Sequence, residues 1–241
     1  MIDSKKIKKY EHAYQELKRL ELKSFNKNPT PWIKLDDSVM KVCMLNCAGL
    51  KAHIKDIKKD SFLLHANVLH LVETSLLTDS ETSQLELENF KAHFLQVSRG
   101  KGIATYIKNN VVAHEEDRSE IGVQISSYAS KHLTLIAVYR SQNGNIGVLL
   151  ENLISMIKEE TAILITGDFN VCNSKKPTNA IKSTLISRGF KLINDECTHV
   201  EGGFIDHAYW RDSKKYWNEP TVERYSPYHS DHDALCITMK R

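Results

Sequence analysis

The chain has 241 residues, 41% of them hydrophobic and 26% charged, a balance that suits one large folded domain, or a domain of about 200 residues with a short extension, and excludes a disordered chain. The formal net charge is only +3, from 33 basic and 30 acidic residues, so any basic footprint for a polyanion must be local. No segment reaches the ~18 apolar residues of a membrane span, and Met1-Ile2-Asp3-Ser4-Lys5-Lys6 lacks an apolar signal core behind its charges. The expected location is therefore intracellular, nuclear or cytoplasmic, and not secreted, with no membrane partner. The five cysteines are an odd number without close metal-binding pairs, which reads as reduced, buried thiols rather than disulfides or a zinc site.

In chain order, residues 5–22 read as a helix. Ile7, Tyr10, Tyr14, Leu17 and Leu20 form a stripe at helical spacing, Ser4 is the candidate N-cap, and Lys5, Lys6, Lys8 and Lys9 crowd its start. Asn26 to Pro31 then reads as a linker. The stripe suits either a face docked on its own domain or a contact with a partner or a larger polyprotein. Val42 to Leu45 is a buried strand, and Leu50, Ile54 and Ile57 have helical spacing. Val68 to Val72 is a strand, and 92–97 with 103–107 form a hairpin around Arg99-Gly100-Lys101-Gly102. Strands are expected at 121–126 and 132–138, an amphipathic helix from Ile146 to Ile157, a buried strand at Ala162 to Ile165, and a helix around Ile181 and Leu185. Strands near 203–209, 221–225 and 234–239 close the chain. Many strands with interspersed helices suggest two packed sheets covered by helices.

Functional side chains stand where the apolar runs stop. Val42 to Leu45 ends at Asn46, Val68 to Val72 at Glu73, Leu135 to Val138 at Tyr139, and Ala162 to Thr166 at Gly167-Asp168-Phe169-Asn170. Phe204-Ile205 runs into Asp206, and Ser230-Asp231-His232 precedes the last strand. Each has a plain explanation taken singly: a turn residue, a helix-start acid, a core histidine. Jointly they supply two carboxylates, an amide pair and an Asp-His dyad at strand ends, the groups that metal-assisted attack on a phosphodiester requires.

These segments, in this order, resemble the endonuclease/exonuclease/phosphatase superfamily over about residues 40 to 239. The matching pieces are Leu45-Asn46-Cys47-Ala48-Gly49-Leu50, Val72-Glu73-Thr74, Gly167-Asp168-Phe169-Asn170-Val171, Ile205-Asp206 and Ser230-Asp231-His232. The chain is most similar to apurinic endonucleases and to the endonuclease domains of non-LTR retrotransposons, the latter through Ser98 to Ala104 and Val138-Tyr139-Arg140. The N-terminal helix also resembles the tail that follows the helicase in Helitron-like polyproteins. The resemblance implies an α/β fold, a DNase I-like four-layer sandwich of two packed mixed β-sheets flanked by helices. Residues 1–38 would be the N-terminal helix and linker, and 39–241 the domain.

The implied activity is endonucleolytic nicking of DNA with Mg²⁺, or Mn²⁺ in its place. Glu73 and Asn46 are the candidate metal ligands. Asp168 would hold or deprotonate the attacking water, and Asn170 would orient it or donate to a phosphate oxygen. Asp231 would orient His232, which in the family contacts the scissile phosphate, with Asp206 supporting the network and Tyr139 acting as a donor or, if ionised, a nucleophile. Arg99, Arg140 and Gln142 are the candidate nucleic-acid contacts. Three positions depart from the family pattern. Ala48 stands where apurinic endonucleases carry a second acidic metal ligand, Gln142 where relatives often have Asn, and His207 where Tyr is usual, a change expected to alter the pocket wall. An inactive binding module, or a phosphatase or lipid phosphodiesterase on the same fold, is the alternative.

Overall fold

A computed structural model describes residues 38–76, 79–95, 101–111, 113–172 and 179–241. The N-terminal helix, its linker and Arg99 fall outside them. The described elements are β1 (Val39–Asn46), α1 (Leu50–Ile57), α2 (Ser61–Leu64), β2 (Val68–Val72), β3 (Phe90–Leu95), β4 (Ile103–Lys108), β5 (His114–Glu120), β6 (Val123–Ala129) and β7 (Leu133–Arg140). They continue with α3 (Ile146–Ser155), β8 (Ala162–Asp168), α4 (Ala180–Ser187), β9 (Lys191–Leu192), β10 (Asp206–Arg211), β11 (Thr221–Tyr225) and β12 (Ala234–Lys240).

The strands form two six-stranded sheets, β11-β12-β1-β2-β4-β3 and β5-β6-β7-β8-β10-β9. Each has one parallel pair near its centre, β1 with β2 and β7 with β8, among antiparallel neighbours. Residues two apart on a strand share a face, and this parity sorts the core. On β1 and β8, Val42 and Leu164 point between the sheets, where they meet Val68, Leu135, Trp210 and Ile237. Cys43 and Leu45 point outward against Leu50, Ile54 and Ile57 of α1, while Ile163 and Ile165 point outward against Leu149 and Leu153 of α3 and Ile181 and Leu185 of α4. Central strands buried on both faces are mostly apolar, which is why they read as near-continuous runs, interrupted by buried polar residues such as His70 of β2. The layers are helix, sheet, sheet, helix, as the resemblance implies.

Two strands lie outside the sequence expectation. β5, His114-Glu-Glu-Asp-Arg-Ser-Glu, is an edge strand that pairs, among the described residues, only with β6. Its charges keep a second chain from pairing with its open side, and it carries no apolar alternation. β9 has two residues. The strand expected at 121–126 is β6, and the one near 203–209 is β10. The five cysteines, all among the described residues, form no disulfide, and Cys43, Cys47 and Cys236 are buried. No helix among the described residues is long and apolar enough to cross a membrane.

Candidate active site

The inter-sheet face carries the site as well as the core. Continuing the parity of Val42, Leu135, Leu164 and Ala208 along their strands leads to Asn46, Tyr139, Asp168 and Asp206. At one end of the sandwich the layer between the sheets therefore changes from aliphatic to polar within one residue pair. Register keeps the groups level, because Tyr139 pairs with Asp168, and Asp168 with Asp206. Gly167 makes this possible: a Cβ there would lie 1.9 Å from the Val138 carbonyl oxygen of β7, so any side chain would force β8 away just before Asp168.

The link between the sheets is direct. Asn46 Nδ2, from β1, donates to Asp168 Oδ2, from β8, at 3.0 Å. The backbone N–H of Ala48 donates to Asn46 Oδ1 at 3.1 Å, which fixes the orientation of the amide. The N–H of Asn170 donates to Asp168 Oδ1 at 2.8 Å, so both oxygens of this buried carboxylate are held. On β2, the segment past Val72 is stitched to the β1–α1 turn by Cys47 N–H to Val72 O, Gly49 N–H to Glu73 O and Leu50 N–H to Thr74 O. That lattice sets Glu73 beside Asn46. Tyr139 then donates its phenol to Glu73 Oε1 at 2.8 Å.

Ala48, Glu73 and Asn170 have φ of 47°, 55° and 50°. A non-glycine residue in this left-handed region costs about 1–2 kcal/mol. Three such residues line one pocket of about 480 Å³, the clustering of stored strain expected where geometry serves chemistry.

The histidine side is equally built. His232 Nδ1 lies 2.8 Å from Asp206 Oδ2, Thr198 Oγ1 donates to the same oxygen, and Asn194 Nδ2 donates to the Asp206 carbonyl at 2.9 Å. Ser230 Oγ donates to the Asn46 carbonyl at 2.6 Å and accepts the N–H of His232 at 2.9 Å, tying this segment to the end of β1. Burial disfavours a charged His232, but the hydrogen bond and charge of Asp206, with Asp168 and Asp231 adding, outweigh it and raise the imidazole to about 9. Burial and the adjacent Asp206 carboxylate push Asp168 up to about 8 against the pull of His232, Asn170 and Asn46. Burial, and then the Glu73 charge, hold the Tyr139 phenol well above its usual range.

No family model and no curated protein matches the chain. Solved structures do. D. rerio TDP2 complexed with single-strand DNA product aligns at a TM-score of 0.62 and 13% identity, over 85% of this chain and 100% of that one. An endonuclease/exonuclease/phosphatase family protein from Bacteroides thetaiotaomicron aligns at 0.56 and 11%, over 83% and 94%. This chain has the endonuclease/exonuclease/phosphatase fold. The endonuclease domain of TRAS1, a telomere-specific non-LTR retrotransposon, has it too, at a TM-score of 0.58 and 12% identity over 84% of this chain and 98% of that one.

On that fold the sequence-predicted residues Asn46, Glu73, Tyr139, Asp168, Asn170, Asp206 and His232 come together, and three expectations change. Asp231 does not hold His232: it is exposed, and its Oδ2 lies 3.6 Å from Nε2 of His199. The carboxylate that engages His232 Nδ1 is that of Asp206. Arg140 is 4% exposed and donates to the carbonyls of Phe169 (2.6 Å), Gly144 (2.6 Å), Gln142 (3.2 Å) and Asn170 (2.9 Å). It pins the β7–α3 loop to the β8 exit rather than reaching for a phosphate. His207 forms no pocket wall: it is buried, stacks on Phe169 at 5.0 Å, bonds the Phe204 carbonyl through Nε2 at 3.2 Å, and is lowered to about 4 by burial. Gln142 is exposed at the pocket rim. Sequence reading misses His199 and Thr198, which follow no apolar run. Their only signal is a Thr-His pair shortly before Asp206.

Proposed function

We propose that the protein is a divalent-metal-dependent phosphodiesterase that nicks DNA, of the kind mobile elements carry. The observation that carries this reading is the set Glu73, Asp168, Asp206 and His232, held by dedicated hydrogen bonds at the polar end of the inter-sheet core. The DNA product bound to the D. rerio TDP2 neighbour and the endonuclease domain of TRAS1 on the same fold support a nucleic-acid substrate.

The residues fit a hard cation. Among the described residues, buried Asp206 Oδ1 has no hydrogen-bond partner, carboxylate oxygens of Asp168 and Asp206 lie within 4.8 Å of each other, and burial together with that second carboxylate raises Asp168. Glu73, steadied by Tyr139, is the leading ligand. Asn46 has both polar atoms engaged and offers only a remaining lone pair on Oδ1. A bound Mg²⁺ or Mn²⁺ would stabilise charge on the phosphate and leaving oxygens.

The protein's own groups do the rest. Asp168, fixed by Asn46 and Asn170, holds the attacking water and takes its proton. His232, positively charged through Asp206, donates from its remaining nitrogen to a nonbridging oxygen. Asn170 spends one amide hydrogen on the Arg140 carbonyl, at 2.8 Å, and keeps one for the phosphate or water. Gln142 at the rim, and Arg99, contact the flanking backbone.

Nicking of supercoiled plasmid with Mg²⁺, with and without EDTA, tests the reading. Glu73→Ala and Asp168→Asn should each abolish cleavage while the circular dichroism spectrum is unchanged. Undiminished cleavage in either variant refutes the site.

A further inference from the structure

His199 has no role in the reaction just described, yet it lines the same pocket as Glu73, Asp168 and His232. Its ring packs edge-on against His232, with centroids 4.7 Å apart at 80°, and the two residues form an isolated antiparallel bridge. The tautomer is set locally. Nδ1 accepts the backbone N–H of Glu201 at 3.2 Å, so the ring proton sits on Nε2. That nitrogen faces Asp231 Oδ2 at 3.6 Å, close enough for attraction and too long for a hydrogen bond. This N–H is therefore available to a ligand.

A nitrogen of His199, a nitrogen of His232 and a carboxylate oxygen of Asp231 all lie within 4.8 Å of one another. A His-Asp-His group invites a transition metal, but the proton position opposes one here. A metal on Nε2 would move the proton to Nδ1, setting N–H against the N–H of Glu201. An anion needs no such change. Hydrogen bonds of about 2.7–3.2 Å from both rings can meet on one tetrahedral anion.

We propose that His199, oriented by Glu201 and Asp231, is a second phosphate-contacting residue that clamps the scissile phosphate jointly with His232. Different carboxylates from different segments stand beside the two imidazoles, Asp231 at 3.6 Å from His199 and Asp206 at 2.8 Å from His232. One carboxylate is exposed and the other fully buried. The clamp rests on the phosphodiesterase reading for its role in turnover, but not for phosphate binding itself.

The test uses the whole chain labelled with ¹⁵N-histidine and titrated with inorganic phosphate. The ring nitrogens of His199 and His232 should shift together along one binding curve, and His199→Ala should weaken that binding. With Mg²⁺ and bis(p-nitrophenyl) phosphate, which has a single phosphate, His199→Ala should lower kcat/KM by about a hundredfold, the scale of losing one charge-stabilising donor. Asp231→Asn, an exposed change that spares the fold, should lower it less. A shift of His232 alone, or a loss confined to DNA while the small diester is cut normally, overturns the clamp. So does tight Zn²⁺ binding that His199→Ala abolishes. If both rings answer phosphate but the wild type cuts no diester, the clamp stands and the phosphodiesterase reading falls. If His199→Ala cuts both substrates at the wild-type rate, the clamp falls and the phosphodiesterase reading stands.

Discussion

Nδ1 of His232 lies 2.8 Å from Oδ2 of Asp206, although the acid beside it in sequence is Asp231. The partner arrives from another strand, and the pair is almost fully buried. Asp206→Asn keeps the shape but removes the charge that holds the imidazole near 9. In metal-free protein, the ¹⁵N titration midpoint of His232 should fall to about 6.5 or lower. A pKa raised above its unfolded value contributes stability in full below about 6.5, and that stability is lost as pH rises through about 9. Wild-type Tm should therefore drop between pH 7 and 10 by a step that Asp206→Asn lacks. Identical Tm profiles would remove Asp206 as the source.

Tyr139→Phe deletes the hydrogen bond to Glu73 at little structural cost, about 0.5–1.5 kcal/mol. Plasmid nicking should fall about tenfold or more, with a higher Mg²⁺ requirement because Glu73 is no longer steadied. The phenol stays protonated, so the wild-type rate should show no rise toward pH 10. A rate that climbs there and is flat in Tyr139→Phe would make the tyrosine a nucleophile instead.

Arg140→Ala strands buried carbonyls that a charged donor had satisfied, each such bond contributing about 1.5–3 kcal/mol. Urea melts should show a loss of at least about 3 kcal/mol, and Arg140→Lys should recover only part of it, because one ammonium cannot reproduce the planar fork. The salt dependence of DNA binding by folded variant should stay unchanged. A slope reduced by about one unit would instead return Arg140 to the interface, as is expected for Arg99→Ala.

Ala48→Gly sets two effects against each other. Relief of the left-handed backbone is worth about 1–2 kcal/mol, and the added freedom of the unfolded chain costs about 0.4–1 kcal/mol. Relief matches or exceeds the cost, so the variant should be more stable by up to about 1.6 kcal/mol in urea melts. Destabilisation would show that the Ala48 methyl makes contacts that outweigh its strain.

The sandwich is legible in the sequence because its central strands are buried on both faces and so read as near-continuous apolar runs up to the site; that is also why Asn46, Glu73, Tyr139 and Asp168 stand out. β5 is hidden because an edge strand facing solvent carries charge, and Glu115, Glu116, Asp117 and Arg118 leave no apolar period to detect. His199 is hidden because it sits on a loop with no strand to terminate. Arg140 and Asp231 mislead because an arginine at a strand end and an acid next to a histidine suggest roles that depend on where each side chain points. Sequence spacing does not carry that direction across a turn.

The hydrogen bond from Asn46 to Asp168 spans the seam between the two sheets, and neither sheet alone contains a working half of the site. The reactive geometry is thus a gauge of the spacing that the aliphatic layer maintains. Shortening Leu164 or Ile237, both deep in that layer, should let the sheets settle closer or tilt. Cleavage would then suffer more than the lost stability explains, because a misplacement of about 1 Å at the reacting atoms can cost a hundredfold in rate. Under the proposed function, selection for catalysis would therefore reach into greasy residues that no substrate meets.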